Sequence, residues 1–352
     1  MNPDFWADKK VFLTGHTGFK GGWLSLWLQK LGAEVHGYAL PPPTKPDFFS
    51  VAEVGQGMAS STIADIRDND RLIDRMSVTK PDIVFHLAAQ PLVRYSYQAP
   101  SETYATNVMG TVNLFEAVRK TPSVRAVINV TTDKCYENRE WVWPYRENEA
   151  MGGFDPYSSS KGCSELITSA YRRSFLADMG IAVASARAGN VIGGGDWAQD
   201  RLIPDFLNAM DAKKPLFVRS PNSIRPWQHV LAPLSGYLML AERLILDGKN
   251  FSGAWNFGPS DQDAWPVRRI VEKLTADTIT SWQINENPQP HEAHYLKLDS
   301  SKARTQLGWQ PRWNIENALE KILDWHSSWL GGKNMFEFTM SQIAAYEATK
   351  QG

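Results

Sequence analysis

Three glycines spaced three residues apart constrain the fold of this chain more than any other feature. Gly15, Gly18 and Gly21 follow the apolar run "VFLT" and precede a stretch with apolar residues at helical spacing. A strand, a glycine turn and a helix in this order bring backbone N–H groups close to a pyrophosphate at the helix N-terminus. The pattern therefore predicts a dinucleotide-binding site. The residues assigned to it here are Gly15, Thr17, Gly18, Phe19, Lys20 and Gly21.

Apolar segments alternate with helical ones along the rest of the first half. Segments 61–68, 81–90 and 124–134 are predicted strands, and 104–120 is a predicted helix. Strands separated by helices indicate a parallel sheet with helices on both faces, and ligands bind at the carboxyl ends of such strands. The predicted class is α/β, with a Rossmann-type doubly wound parallel sheet and a smaller, mixed α/β substrate lobe. Residues at strand ends that we expect to bind the dinucleotide are Asp65, Ile66, Leu87, Ala88 and Ala89.

The helix after the glycine turn is followed by a second predicted strand, "AEVHGYAL" (33–40), and the region at its end bears on the choice of dinucleotide. It reads "VHGYALPPPT" and contains neither an acid that would hold a ribose 2′-hydroxyl nor an arginine that would bind a 2′-phosphate. The residues alone therefore leave NAD and NADP open, with NAD favoured.

Composition narrows the classes of protein to which the chain can belong. The formal net charge of -1 does not indicate a general nucleic-acid binder, and the two cysteines do not form a disulfide framework. No apolar run approaches the ~18 residues that a membrane-spanning helix needs. The segment "MNPDFWADKK" has no apolar signal core, so we expect a cytoplasmic protein. No metal site is assigned.

A tyrosine and a lysine at helical spacing are the first candidates for chemistry. Tyr157 and Lys161 stand at i and i+4 in a helix that we expect to begin near Pro156, so they share one face. A phenol has a pKa near ~10 and is a weak base at neutral pH. A neighbouring ammonium and a charged nicotinamide ring would lower that pKa. We predict that the pair binds the cofactor and deprotonates a sugar hydroxyl; the alternative is a chance pair on an exposed helix.

Several motifs occur together in the order of one known family. The glycine motif, "DIRD", "HLAAQ", "TNVMGT" and YxxxK resemble the extended short-chain dehydrogenase/reductase family over most of the chain. Within it, "TTDKCYE" resembles the segment that nucleotide-sugar 4,6-dehydratases carry before YxxxK. The resemblance implies NAD as cofactor, a nucleotide sugar as substrate and a role in deoxysugar supply, usually for bacterial surface polysaccharide.

One departure from the family pattern is informative. Relatives that act on dTDP- and GDP-sugars normally have Thr-Asp-Glu where this chain has Thr132, Asp133 and Lys134. Together with "ARAGNVIGGGDWAQDRLIPD" and "RSPNSIRPWQHV", this departure resembles one branch of the family, which is set apart by the nucleotide of its substrate.

The resemblance also implies roles for these three residues. C4 of the sugar is oxidised, water is eliminated across C5 and C6, and C6 is then reduced. Asp133 is the candidate acid for the C6 hydroxyl, Lys134 the candidate group for the C5 proton, and Thr132 a donor to the C4 oxygen. Asp133 must then hold a proton and Lys134 must be neutral, so their titrations are expected to be coupled. The alternative is a solvated loop pair.

Arginines in the second half are candidates for the substrate's diphosphate, because forked guanidinium groups suit phosphate oxygens. We assign Arg201, Arg219 and Arg225 to this role, although Arg219 and Arg225 can also be ordinary surface charges. By resemblance to the family, Asn190 contacts substrate and Tyr295 lies in a stretch that closes over the nucleotide.

The expected organisation is two lobes. Residues 1–180 and a returning segment near 225–250 form the NAD-binding domain, and 181–224 with 251–352 form the nucleotide-sugar lobe. By resemblance, the protein is a homodimer or homotetramer. The open alternatives are a dehydratase for another nucleotide sugar, a C4 epimerase or reductase, and a catalytically silent nucleotide-binding scaffold.

Overall fold

The computed structural model describes residues 2–276, 278–287 and 293–350 as alternating strands and helices. Within these ranges the strands are β1 Lys10–Thr14, β2 Glu34–Ala39, β3 Ser60–Ile63, β4 Ile83–His86, β5 Ala126–Val130, β6 Ala182–Ala188, β7 Val191–Ile192, β8 Leu216–Val218, β9 Ile224–Pro226, β10 Gln228–His229, β11 Gly253–Phe257, β12 Ala264–Pro266 and β13 Trp282–Ile284. The helices are α1 Pro3–Trp6, α2 Phe19–Lys30, α3 Phe48–Val51, α4 Asn69–Thr79, α5 Val93–Gln98, α6 Pro100–Tyr104, α7 Gly110–Arg119, α8 Pro156–Tyr171, α9 Leu202–Asp211, α10 Leu231–Phe251, α11 Val267–Thr275, α12 Ile315–Leu330 and α13 Met335–Ala348.

A seven-stranded sheet with the order β11-β6-β5-β4-β1-β2-β3 forms the centre of the protein. Neighbouring strands pair in parallel throughout; for example, Val11 of β1 lies between Val35 of β2 and Ile83 of β4. The direction of winding reverses between β1 and β4, where a doubly wound sheet opens a crevice for ligands. The predicted Rossmann-type α/β class is confirmed.

Both faces of the sheet are covered, which explains why its strands are apolar runs. Side chains alternate between faces with a period of two. Val11 and Leu13 therefore pack into the core that contains α2 and α10, while Phe12 packs into a second core with α4 and α7. The sheet thus holds its strand ends in place from both sides.

The predicted domain boundary needs a correction at two strands. β6 pairs with β5 through Ala126 and Ala182, and β11 pairs with β6 through Ala184 and Gly253. Both strands belong to the central sheet, although the prediction assigned them to the substrate lobe. β6 is buried along its whole length, as expected for a strand inside a sheet that is covered on both faces. Helix α10, in the predicted returning segment, packs on β5 and β6.

The substrate lobe has its own apolar core. Helices α9, α11 and α12 pack around the short pairs β8–β13 and β9–β12, with Trp227 and Trp265 at the centre. The C-terminal helix α13 packs against α2, where Tyr346 meets Trp27 edge-on. Across the described residues, no helix combines the length and apolarity that crossing a membrane requires.

Candidate active site

A large cleft runs between the carboxyl edge of the sheet and the substrate lobe. Its volume is about 1830 Å³. Pockets for one drug-sized ligand are typically ~300–1,000 Å³, so this cleft has room for a dinucleotide and a nucleotide sugar together. Predicted site residues on its wall are Gly15, Thr17, Gly18, Phe19, Lys20, Gly21, Asp65, Ile66, Leu87, Ala88, Ala89, Thr132, Lys134, Tyr157, Lys161, Asn190, Arg201, Arg219 and Arg225.

The glycine turn fits a dinucleotide phosphate. Gly15 has a φ of +78°, and a Cβ at this position would lie 2.7 Å from the backbone nitrogen of Ala88. A Cβ on Gly21 would collide with the carbonyl oxygen of Gly15. Gly18 is the N-cap of α2 and has no side chain that could accept from the first helical turn. The N–H groups of that turn can therefore serve an anion in the cleft.

Lys20 adds a cation to the same turn. Its Nζ donates a hydrogen bond of 3.2 Å to the hydroxyl of Tyr237. Burial, together with the positive charges of Lys161 and Arg201, lowers the pKa of Lys20 to about 7. The glycine turn thus provides both backbone donors and a side-chain ammonium.

Helix α8 places the Tyr157–Lys161 pair at the inner wall of the cleft. Asp155 caps the helix by accepting from the Ser158 backbone N–H at 2.9 Å, and both Tyr157 and Lys161 are buried. The Lys161 ammonium donates to the Val130 carbonyl at 3.3 Å, at the end of β5. Burial lowers the pKa of Lys161 to about 8. Because both side chains are buried in the cleft wall, the alternative of a chance pair on an exposed helix is wrong.

The state of the Tyr157 phenol differs from the sequence-based expectation. Burial raises the pKa of Tyr157 to about 12, and a hydrogen bond with the Thr132 hydroxyl offsets only part of this shift. The expected lowering by the lysine is therefore wrong for the protein without ligands, because desolvation outweighs the nearby charges.

The two buried lysines of the cleft predict a pH-dependent stability. Above about pH 8, folded Lys161 loses a proton that the unfolded chain keeps up to about 10.5. The free energy of unfolding of the cofactor-free protein should therefore rise with pH in this window, and Lys20 adds the same trend from about pH 7. Each group contributes a slope of at most about 1.4 kcal/mol per pH unit.

Denaturant titrations between pH 7 and 9.5 would measure this slope. We expect Lys161→Met to lower it above pH 8, while Lys120→Met, at an exposed position, leaves it unchanged. A slope that Lys161→Met does not alter would contradict the assigned titration.

Asp133 and Lys134 lie in one short turn directly after β5. The Asp133 side chain is 1% exposed and the Lys134 side chain 32%, with 3.8 Å between Lys134 Nζ and Asp133 Oδ1. Thr132 donates to the same Oδ1 at 3.0 Å. The other oxygen, Oδ2, is buried without a hydrogen-bond partner among the described residues, and Asp133 itself lies behind Thr132 and Lys134 rather than on the cleft wall. A solvated pair does not fit a carboxyl in this setting, whereas buried, unsatisfied polar atoms are typical of functional sites.

Gly189 explains how Asp133 can be buried so close to the backbone of a neighbouring segment. A Cβ on Gly189 would lie 3.0 Å from Asp133 Oδ2 and would also collide with the ring of Pro226. The glycine just after β6 therefore leaves the space that the carboxyl occupies.

The substrate lobe presents the predicted polar residues Asn190, Arg201, Arg219 and Arg225 to the cleft. Asn190 Oδ1 is buried without a partner among the described residues. Arg201 pairs with Asp196 at 2.9 Å, and Arg219 pairs with Asp200 at 3.0 Å. Arg225 is buried on the cleft wall, so the alternative of an ordinary surface charge is wrong for it.

The structure does not place Tyr295 on the wall of the cleft. Its hydroxyl donates to the Val142 carbonyl at 3.4 Å, and the Lys297 ammonium lies 5.4 Å from its ring centre. Ala293 and Leu296 form the wall in this segment instead. The side chain packs on the neighbouring loop, and the contact of Tyr295 with substrate stays a prediction.

Arg94 is a cleft residue that the sequence reasoning missed. It lies in α5, on the sheet side of the cleft, and donates to Asp200 Oδ1 at 3.0 Å. Arg219 of the substrate lobe donates to the same oxygen at the same distance. Since 106 residues separate Arg94 from Asp200, no local motif signals this contact. No three His, Cys, Asp or Glu side chains come together as a metal site in the described parts of the chain.

The cleft is lined by a tyrosine and a lysine one helical turn apart and by a glycine turn, at the switch point of a parallel sheet. Together these features define an enzyme of the short-chain dehydrogenase/reductase class. A family model described as GDP-mannose 4,6 dehydratase matches residues 12–322. The chain belongs to this family, and the predicted membership among the nucleotide-sugar 4,6-dehydratases is confirmed.

Similar proteins agree with this assignment. The chain is 54% identical to a CDP-glucose 4,6-dehydratase of Salmonella typhimurium, with 98% of each chain covered. Its fold is similar to UDP-glucose 4-epimerase of Thermotoga maritima, with a TM-score of 0.76 and 22% identity over 91% of this chain and 99% of the other. It is also similar to dTDP-glucose 4,6-dehydratase of Bacillus anthracis in complex with NAD, with a TM-score of 0.75 and 19% identity over 91% and 97%.

Proposed function

We propose that this protein is an NAD-dependent hydro-lyase that converts CDP-glucose to CDP-4-keto-6-deoxyglucose and water. The observation that carries the proposal is the buried Asp133, whose unpartnered oxygen lies in the turn that also bears Thr132, the hydrogen-bond partner of Tyr157. Oxidation of a hydroxyl needs only the tyrosine and lysine, whereas elimination of water needs an additional acid. The relative that is 54% identical supports CDP-glucose as the substrate, and we place the reaction in deoxysugar synthesis for O-antigen or lipopolysaccharide.

The inner half of the cleft suits the cofactor. The glycine turn and Lys20 would hold its pyrophosphate, and Asp65, Ile66 and Ala88 line the adjoining wall. A bound NAD would supply the acceptor for the hydride that leaves C4 and the donor of the hydride that is added at C6.

Tyr157 would take the proton of the C4 hydroxyl. In the protein without ligands its pKa of about 12 makes it a poor base. The ammonium groups of Lys161 and Lys20 and the positive ring of a bound cofactor would stabilise the phenolate and bring the pKa down. The Thr132 hydroxyl, which hydrogen-bonds Tyr157 and Asp133, lies between the two chemical centres.

Asp133 would protonate the departing C6 hydroxyl, and Lys134 would handle the C5 proton. Oδ2 is the carboxyl oxygen of Asp133 that has no partner among the described residues, so we assign the donated proton to this oxygen. Lys134 is part of the cleft wall and lies on the Oδ1 side of the carboxyl. The two groups can therefore act on adjacent carbons, with the solvent-accessible lysine exchanging protons with water.

A direct test is to incubate the protein with NAD and, separately, CDP-glucose, dTDP-glucose, GDP-mannose and UDP-glucose, and to follow each by mass spectrometry. We expect loss of one water from CDP-glucose alone, without accumulation of reduced cofactor. Loss of water from a different nucleotide sugar would overturn the substrate assignment. Isomerisation without dehydration would overturn the assignment as a hydro-lyase.

The contact of Asp200 with both Arg94 and Arg219 leads to a prediction about the affinity for a diphosphate. The Asp200 carboxylate is 43% exposed, and exposed ion pairs contribute only about 0–1 kcal/mol. A diphosphate can therefore replace Asp200 between the two arginines. Asp200→Asn removes the competing charge, so we expect CDP to bind about fivefold more tightly, as measured by calorimetry.

The control for this variant is Asp261→Asn, which removes the same charge at an exposed position off the cleft wall. Weaker binding of CDP by Asp200→Asn would instead mean that Asp200 holds the arginines in their binding geometry.

We also propose a cytoplasmic homodimer or homotetramer. Supporting this, helices α5, α6 and α8 and the turns that continue them expose large apolar side chains; these are Tyr95, Tyr97, Tyr104, Met109, Leu166 and Phe175. Such a patch is a candidate interface. Light scattering of the purified protein would give the mass, and a monomer would contradict the proposal.

A further inference from the structure

The turn that carries Asp133 and Lys134 is attached at both ends to one buried ion pair. The pair joins Glu165 of α8 to Arg187 of β6, with 2.8 Å between Glu165 Oε2 and Arg187 Nη2. Both side chains are 4% exposed. Neither group takes part in the proposed chemistry, yet a buried ion pair is costly unless its remaining polar atoms are also bonded.

The pair makes several other bonds: Ser185 donates to Glu165 Oε2 at 2.6 Å, Arg187 donates to the Glu147 carbonyl at 3.1 Å, and Arg187 Nε has no partner among the described residues. Two further bonds lead to the residues that flank the turn. Before it, the Thr131 hydroxyl donates to Glu165 Oε1. After it, Arg187 Nη1 donates to the Tyr136 hydroxyl at 2.7 Å, and the Arg187 guanidinium lies 4.8 Å from the centre of the Tyr136 ring. The four residues from Thr132 to Cys135 are therefore held between two anchors.

Tyr136 is the anchor that can be altered most gently. It is 1% exposed, and its hydroxyl also donates to Asn256 Oδ1 at 2.7 Å. Its ring stacks on Tyr145 with 5.2 Å between centroids. Removal of the hydroxyl alone would loosen the turn from the ion pair and leave the aromatic packing in place.

The same ion pair is part of the helix that carries the oxidation residues. Glu165 lies four residues after Lys161 and eight after Tyr157 on α8, and its negative charge is the main influence that raises the pKa of Lys161 against the effect of burial. Glu165 therefore bonds to Thr131, directly before the turn that carries Asp133 and Lys134 (the elimination turn), and belongs to the same helix as the oxidation residues.

We propose that Glu165 and Arg187 are positioning residues that hold Asp133 and Lys134 in register with Tyr157 and Lys161, with Tyr136 as the link. The proposal rests on the proposed function. Its consequence is that the elimination step depends on the network much more than the C4 oxidation step does. A misplacement of about 1 Å at a reacting group can cost about 10²-fold in rate.

The test is a single-turnover experiment with NAD and CDP-glucose on Tyr136→Phe and Arg187→Lys. Absorbance follows the reduced cofactor, and mass spectrometry of quenched samples separates the 4-keto-hexose from the dehydrated product. We expect the elimination step to slow about tenfold or more, the C4 oxidation step to slow less than about threefold, and reduced cofactor to accumulate. Arg187→Lys keeps the positive charge but loses the forked guanidinium group, so it should also slow elimination more than oxidation.

Tyr346→Phe is the matched control, because it removes another buried tyrosine hydroxyl, in α13 and away from the turn. It should lower thermal stability without accumulation of reduced cofactor. If Tyr136→Phe and Arg187→Lys slow both steps equally, the ion pair is a structural element only and the inference is wrong. Wild-type protein that dehydrates no nucleotide sugar would overturn the proposed function, and the inference with it.

Discussion

Tyr157→Phe is expected to lower the rate of C4 oxidation by about 10²- to 10⁴-fold, the usual contribution of a general base. The substitution removes one buried oxygen and keeps the ring that packs in the cleft wall. Thr132 and Lys161 keep their other bonds, to Asp133 and to the Val130 carbonyl. Binding of CDP-glucose should therefore change little while turnover is lost. Single-turnover formation of reduced cofactor, together with calorimetric titration of the ligand, would measure the two effects separately.

Tyr171→Phe serves as the control for this variant. Tyr171 ends the same helix, and its hydroxyl bonds to Glu116 at 2.9 Å rather than to any residue of the cleft. Tyr171→Phe should oxidise C4 at close to the rate of the unaltered protein. Near-normal oxidation by Tyr157→Phe would show that another group removes the C4 proton.

Asp133→Asn is expected to separate the two halves of the reaction. The amide has nearly the shape of the carboxyl and can still accept from Thr132, but it has no proton to give to the leaving C6 hydroxyl. We expect dehydration to fall by about 10²- to 10⁴-fold while C4 oxidation continues. Reduced cofactor and a 4-keto-hexose should then accumulate in proportion to the enzyme, as measured by absorbance and mass spectrometry.

This variant also distinguishes the enzyme classes that the sequence left open. A C4 epimerase or reductase has no use for the acid, so its turnover would survive Asp133→Asn. The buried Asp263 accepts from the N–H of Ile315, the first residue of α12, at 3.0 Å, and offers a matched control in Asp263→Asn. Equal losses in both variants would mean that Asp133 matters for folding rather than for chemistry.

Local patterns account for what could be predicted about the fold. The glycine turn, helix α8 beginning at Pro156, and the apolar strands β1, β4 and β5 each have a signal within a few residues. The place of strand β6 in the sheet had no such local signal. Strand pairing joins residues far apart in the chain, and the run "AVASARA" does not specify its neighbour.

The candidate site was likewise predictable only in part. The sequence by itself determined which residues meet at the switch point, because parallel strands bring their carboxyl ends to one edge and a helix brings i and i+4 to one face. Only the tertiary structure decided the raised pKa of Tyr157, the packing of Tyr295 on the neighbouring loop, the contact of Arg94 with Asp200, and the bonds from Glu165 and Arg187 to Thr131 and Tyr136. Desolvation and contacts between distant segments depend on how the layers pack, and no short stretch of sequence contains that information.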